Sequence, residues 1–177
     1  PENRKVENYV DMALYYARMD AVYKDYMIAE TNLQEVAQQV LLQNKYYLIQ
    51  SHVKAEVACP DTVYSDKKWI AFILNQLIQN SVKYGRSEGT HIQIVTKKTK
   101  SGVLLRVKDD GIGIPKEEIP RIFEKGFTGT NGRNRERSTG MGLYLCRKLC
   151  DKLNIEIRAE SAEGKGTEII LMFPVSE

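Results

Sequence analysis

All twelve glycines of this 177-residue chain lie after Tyr84, and seven of them fall between Gly111 and Gly142. That distribution constrains the fold more than any other feature. The first half is free to form unbroken helices and strands, whereas the second must be built around loops that need positive φ or close backbone approach. The clearest of these stretches is "KDDGIGIPKEEIPRIFEKGFTG", residues 108 to 129, where two carboxylates run into Gly-Ile-Gly, a proline and an aromatic-cationic cluster. Composition sets the frame: 42% apolar and 28% charged residues describe an ordinary globular domain with a real core. The longest clean apolar run, "WIAFIL", is far too short to cross a bilayer. The chain opens "PENRKVENYV", with no signal-peptide pattern. Three cysteines cannot make a disulfide framework, and Cys146 and Cys150 sit one helical turn apart among leucines as core residues of a reducing compartment. A net charge of +3 is too small to argue for nucleic acid, and residues 121 to 137 alone carry five Lys or Arg against two Glu.

Residues 2 to about 28 read as a helix with a narrow seam at Val6, Val10, Ala13, Ala17 and Ala21, which suits a partner helix. "TNLQ" predicts a capping box, Thr31 with Gln34, opening a helix that buries Leu33, Val36, Ala37, Val40 and Leu41. A strand is expected within "HVKAEVAC". A helix capped by Asp66 or Ser65 follows, with Ile70, Ile73, Leu74, Leu77 and Ile78 inward. "HIQIVTK" and "VLLRVKD" alternate as a hairpin, a helix spans 141 to 153, and "IEIRAE" with "TEIILMF" form a last hairpin turning at "SAEGKG". This order implies an α+β fold, a two-layer sandwich with one mixed, mostly antiparallel sheet and helices on one face, preceded by the N-terminal helix.

Three constellations carry chemistry. On the helix from 67 to 84, Gln76, Asn80, Lys83 and Tyr84 fall at i, i+4, i+7 and i+8, a polar stripe beside the apolar face. "VLLRVKD" runs as a strand into Asp109, and the bare backbone at Gly111 and Gly113 would let a ligand approach while the carboxylate accepts from an amine such as adenine's. Asp-Gly is also a common turn pair, though a turn rarely needs a second glycine two residues later and a proline after that; alone, the pattern is a weak signal. "STGMGLYL" is a second glycine cluster opening into a helix, an anion site by its N–H groups and dipole, or a plain helix start capped by Ser138 or Thr139. Between the clusters, "FEKGFTGTNGRNRERS" reads as a cationic lid. Together they imply adenine at Asp109, phosphates at Gly140 to Gly142, and Mg²⁺ held through Asn80, since Mg²⁺ takes few protein oxygens beside phosphate and water. No P-loop pattern is present.

With these motifs in order, the sequence from about residue 31 onward resembles the ATP-binding domain of bacterial sensor histidine kinases, within the superfamily shared with gyrase, Hsp90 and MutL. "NQLIQNSVKY" looks like the N box, with Asn80 as the magnesium position and Lys83 and Tyr84 as nucleotide contacts. "DDGIGI" is similar to the first G box, which brings in Asp109, Gly111, Gly113 and Ile114. "RIFEKGF" resembles the F box of Phe123, Lys125 and Phe127. "STGMGL" resembles the second G box of Thr139, Gly140, Met141, Gly142 and Leu143, and "GKGT" the last glycine motif with Thr167. Gln76 stands where hydrolysing relatives carry a Glu base, and an amide cannot take a proton, which favours phosphoryl transfer over hydrolysis.

The resemblance implies ATP and Mg²⁺ as cofactors, with Gln76 and Asn80 as the catalytic positions. Residues 1 to 30 would be the second helix of a dimerising phosphoacceptor hairpin, and 31 to 177 the catalytic domain with a lid at about 115 to 139. The only histidines, His52 and His91, sit in strand-like stretches rather than a helical acceptor context, so the acceptor would lie outside this sequence. The implied partners are a response regulator, a second copy through the upstream hairpin and a membrane transporter, since "ALYYARMD" and the N-box region resemble short-sensor kinases that respond to cell-envelope antibiotics. The implied location is the cytoplasmic side of a bacterial cell membrane. A nucleotide-gated interaction module without kinase activity is the alternative, and a DNA-handling ATPase is disfavoured by Gln76 and the modest charge.

Overall fold

In the computed structural model, residues 26–129 and 140–175 are described. A five-stranded sheet runs in the order β2 (Val53–Ala58), β4 (Thr90–Thr99), β5 (Gly102–Asp109), β7 (Gly166–Pro174), β6 (Glu156–Ala162). Only β2 and β4 are parallel, and the connection between them contains α3 (Lys67–Lys83), the kind of crossover a parallel pair needs. The other pairings are antiparallel, including both expected hairpins. The mixed, mostly antiparallel sheet is therefore as expected.

One face of the sheet carries the core. Ile92, Ile94, Leu105, Val107, Ile169, Leu171 and Phe173 point inward by strict alternation and meet Trp69, Ile70, Ile73, Leu74, Leu77 and Ile78 of α3. Also packed there are α1 (Leu33–Gln43), through Leu33, Val36, Ala37 and Val40, and α4 (Gly142–Lys152), through Leu145, Cys146, Leu149 and Cys150. Burial pushes the Cys150 thiol up to about 12 and Cys146 well above its usual value, so both are inert packing residues, as their spacing implies. The other face is polar, with Arg106 paired to Glu168 across β5 and β7. Ile170 is buried on that face because the register sets it between Arg106 and Arg158, whose stems are long enough to cover it.

Several local expectations are corrected. Residues 26–28 are not helical, and Ala29–Asn32 form β1, paired antiparallel with β3 (Thr62–Ser65). The remainder of the expected N-terminal helix, residues 1–25, lies outside the described residues. The cap of α1 is Asn32, accepting from Glu35 N at 3.1 Å, while the Thr31 hydroxyl faces the Ala29 and Ser65 carbonyls and Gln34 accepts from Cys59 N. Strand pairing of β1 thus shifts the cap by one residue. Asn44 ends α1 because its side-chain amide takes the Val40 carbonyl at 2.8 Å and Asn75 Oδ1 at 2.7 Å, and a short α2 (Lys45–Gln50) follows. His52 is a turn residue with φ of 56°, not a strand residue, whereas His91 lies on β4 and pairs with Glu56.

Candidate nucleotide site

α3 is the element that aims the polar stripe. Asp66 caps it, its Oδ1 accepting from Lys68 N at 3.0 Å and Trp69 N at 3.2 Å. From that anchored start the apolar residues pin one face on the sheet, and the stripe emerges along the margin. Gln76 and Tyr84 are buried there, and Asn80 and Lys83 are half-buried. Lys83 Nζ lies 5.0 Å from the Tyr84 ring centroid, and burial lowers its pKa below the usual lysine value. The Tyr84 hydroxyl is pushed up by burial and by the nearby Glu118 charge, and is hydrogen-bonded to the Gly129 backbone.

The sheet register places the second component. Asp109, the last residue of β5, pairs directly with Thr167 on β7 and Ile92 on β4. Asp109 is only 5% exposed, and its Oδ1 accepts from Gly111 N at 3.0 Å and Thr167 N at 3.2 Å. The Ser81 hydroxyl also hydrogen-bonds the carboxylate. Burial raises the Asp109 pKa, and those three donors partly oppose the rise. A carboxylate offers about four acceptor positions, so with three in use it retains room for roughly one more donor.

The first glycine loop is fixed to both neighbours. Ile112 N donates to the Tyr84 carbonyl at 2.9 Å, tying the loop to the end of α3. Gly164 N donates to the Ile112 carbonyl at 2.8 Å, and Ile114 N to Ser161 Oγ at 2.8 Å, tying it to the β6–β7 turn. The space beside Gly111 and Gly113 is taken by protein: a Cβ would meet the Tyr84 carbonyl oxygen at 2.2 Å and that of Ala162 at 2.1 Å. On the side where a Cβ would stand, these glycines are a packing requirement. Ile114 is buried in the core, so its side chain is a floor rather than a polar contact.

The second glycine cluster comes to α3 as well. Gln76 Oε1 lies 2.7 Å from where a Cβ on Gly142 would stand, so the amide faces the first residue of α4. The α4 N-cap is Met141, which makes no side-chain cap hydrogen bond, so the helix opens on backbone N–H groups and the positive end of its dipole. Gly126 N donates to the Gly140 carbonyl at 2.9 Å, joining the aromatic-cationic segment to this end. Phe123 and Phe127 are half-buried against the core, Phe123 under the Arg147 guanidinium at 5.4 Å and Phe127 under that of Arg121 at 4.6 Å. Met141 and Leu143 also pack on the core edge, and Lys125 is exposed. Thr139 and the rest of the expected lid from 130 to 139 lie outside the described residues.

Ser81 and Ser161 were not singled out in the sequence. Ser161 Oγ accepts from Ile114 N and lies 2.8 Å from both the Gly166 carbonyl and Thr167 Oγ1. Their roles depend on helix phase and strand register, and neither belongs to a run that spacing alone would mark.

The arrangement fits a purine triphosphate: a buried carboxylate with one acceptor position to spare, together with an ammonium and the N-terminal end of a helix. Among the described residues, no three His, Cys, Asp or Glu side chains converge to hold a metal ion, so a divalent ion here would need oxygens from its ligand.

Residues 65–177 match the family described as "Histidine kinase-, DNA gyrase B-, and HSP90-like ATPase". The chain belongs to this family. It is an ATP-binding domain of the histidine kinase type. Among curated proteins it is 34% identical to the sensor histidine kinase YxdK of Bacillus subtilis over 174 residues, covering 97% of this chain and 54% of that one. It is 36% identical to the sensor protein kinase GraS of Staphylococcus aureus over 176 residues, covering 97% of this chain and 49% of the relative. The chain thus spans about half the length of these relatives. Among solved structures, the catalytic domain of histidine kinase ThkA matches with a TM-score of 0.71 at 26% identity, over 84% of this chain and 95% of that one. Full-length ShkA in complex with AMPPNP matches in fold with a TM-score of 0.81 at 18% identity, over 99% of this chain and 38% of that one. No helix among the described residues is long and apolar enough to cross a membrane.

Proposed function

We propose that this chain is the catalytic half of a two-component sensor histidine kinase, which positions Mg·ATP for transfer of the γ-phosphoryl group to a histidine outside these 177 residues. The observation that carries the reading is Asp109: a buried carboxylate at a strand end, held by Gly111, by Thr167 and by Ser81 of α3, the helix that carries the stripe from Gln76 to Tyr84. Asp109 accepts from the adenine amino group. Asn80 supplies the protein oxygen for Mg²⁺, Lys83 and the N–H groups at Gly140, Met141, Gly142 and Leu143 neutralise phosphate, and Thr139 completes that end. Tyr84, Gly111, Gly113, Ile114 and Thr167 shape the base and ribose side, and Phe123, Lys125 and Phe127 form the root of a lid reaching to 139.

Bound ATP supplies the transferable phosphoryl group and Mg²⁺ neutralises its charge. The protein's part is orientation and electrostatics. Gln76 presents an amide and not a carboxylate toward the first residue of α4, so it takes no proton from water. That supports transfer over hydrolysis. His52, in a turn, and His91, paired to Glu56 on a strand, are poor acceptors, which supports an acceptor on an upstream helix. In this reading the sequence before residue 26 belongs with that hairpin, and the catalytic domain begins by β1, whose pairing with β3 ties residues 29–32 to it. The two curated relatives are both sensor kinases, which supports a response regulator as the next recipient and a second copy as the dimer partner. It also supports attachment to a bacterial cell membrane with this domain in the cytoplasm, with a transporter as a membrane partner and cell-envelope antibiotics as the stimulus class.

The test extends the chain upstream to include the acceptor helix and incubates it with γ-labelled ATP. Acid-labile, alkali-stable label that moves to a response regulator is the expected result. An extended protein that binds ATP and never labels would refute the kinase reading.

A further inference from the structure

The base side of the pocket is made of two loops, 109–114 and 162–167, and a third segment reaches across both. Arg86 lies just past the end of α3, two residues beyond Tyr84. Its backbone is fixed by the corner it occupies: Arg86 N donates to Thr90 Oγ1 at 2.7 Å, and Gly89 N donates back to the Arg86 carbonyl at 3.2 Å. From that corner Nε donates to the Asp110 carbonyl at 3.0 Å and Nη2 to the Gly164 carbonyl at 2.7 Å. One side chain therefore joins the N-box helix, the residue after Asp109 and the turn before Thr167.

We propose that Arg86 is a positioning residue for nucleotide binding, which braces the Asp110 and Gly164 carbonyls and so fixes the Asp109 carboxylate against the Thr167 backbone. The proposal rests on the reading of Asp109 as the adenine contact. The geometry accounts for the residue type. A guanidinium has several N–H donors in a rigid plane and can serve two carbonyls of different loops at once, whereas a lysine ammonium on a flexible stem holds one well. The braced carbonyls are backbone atoms flanking the groups that matter. Asp110 is further held by its own hydrogen bonds to His91, Oδ1 accepting from His91 N at 2.7 Å and Asp110 N donating to the His91 carbonyl at 3.3 Å. Gly164 N in turn donates to the Ile112 carbonyl at 2.8 Å. Releasing Arg86 leaves those bonds intact, so the expected result is a looser pocket on a folded domain.

The test is a double-mutant cycle of Arg86→Ala and Asp109→Asn in the full 177-residue chain. A non-hydrolysable ATP analogue is titrated into each protein, and thermal unfolding is recorded alongside. Arg86→Ala should weaken binding by about tenfold in the wild-type background, the scale of one charge-assisted hydrogen bond, and by less than about twofold when Asp109 is already Asn. Arg86→Lys should fall between wild type and Ala, and it decides the matter should the Ala variant fail to fold. Wild-type affinity in Arg86→Ala, full rescue by Lys, or equal losses in both backgrounds would each overturn the proposal. Failure of the wild-type chain to bind the analogue would instead overturn the nucleotide-site reading, and this proposal with it.

Discussion

Gly113→Ala and Gly164→Ala form a matched pair that isolates one contact at the centre of the site. Both glycines adopt φ of 78°, a region that costs an L-residue about 1–2 kcal/mol. They differ in what a methyl group would meet. At Gly164 nothing lies within 4 Å, whereas at Gly113 the Cβ would stand 2.1 Å from the Ala162 carbonyl oxygen and 2.8 Å from its carbon. Both atoms are backbone, so relief requires the loop from 111 to 114 to move away from the β6–β7 turn. Overpacking of this kind adds roughly 1–3 kcal/mol. Gly164→Ala should therefore cost about 1–2 kcal/mol, and Gly113→Ala about 2–5 kcal/mol. For a chain of this size the extra term corresponds to a further fall in Tm of roughly 2–12 °C. Thermal unfolding followed by circular dichroism measures the difference, and nucleotide titration on the folded variants should show Gly113→Ala binding more weakly than Gly164→Ala. Equal Tm values for the two variants would refute the argument that the first glycine loop is packed against Ala162.

Three further outcomes follow from the same geometry. Nucleotide affinity should be bell-shaped in pH: protonation removes the Asp109 acceptor at a pH above the usual carboxylate range, and loss of charge on Lys83 sets in below the usual lysine range. Titrations across pH check both limbs, and an acid limb at an ordinary aspartate value would contradict the burial argument. Asn80→Ala should abolish the part of the affinity that depends on Mg²⁺ while leaving metal-free binding within about twofold, measured with and without EDTA. Trp69, 2% exposed and edge-on to Tyr26 and Phe72 at 6.4 and 6.0 Å, should cost roughly 3–5 kcal/mol when cut to Ala, read from denaturant unfolding.

The parts of the fold legible in the sequence were those with strong local signals. The long apolar face of α3, its Asp66 cap, the alternation in β4 to β7 and the leucine-cysteine face of α4 each define their element without reference to the rest. The β1–β3 ribbon was not legible, because "AETN" and "TVYS" are four residues each and Thr31 mimics a cap. The break at Asn44 depends on a partner, Asn75, that is remote in sequence. The candidate site divides in the same way. The stripe on α3 follows from helical spacing alone, and Asp109 from its place at a strand end. The Ser81 and Ser161 contacts and the filled space behind Gly111 and Gly113 arise only when β5, β6 and β7 are in register.

The central claim is that Asp109 reads the nucleotide base, and the most direct measurement is calorimetric titration of wild type and Asp109→Asn with a non-hydrolysable ATP analogue, beside their Tm values. Because burial raises the folded-state pKa of Asp109, the folded protein holds that proton more tightly than the unfolded chain. Ionised Asp109 therefore costs stability at neutral pH, and the cost is relieved as pH falls through the raised value. The amide removes that cost and still accepts from Gly111 N and Thr167 N, so Tm at neutral pH should hold or rise while affinity falls by at least about tenfold. An Asp109→Asn protein that stays folded and binds the analogue as tightly as wild type would contradict the account.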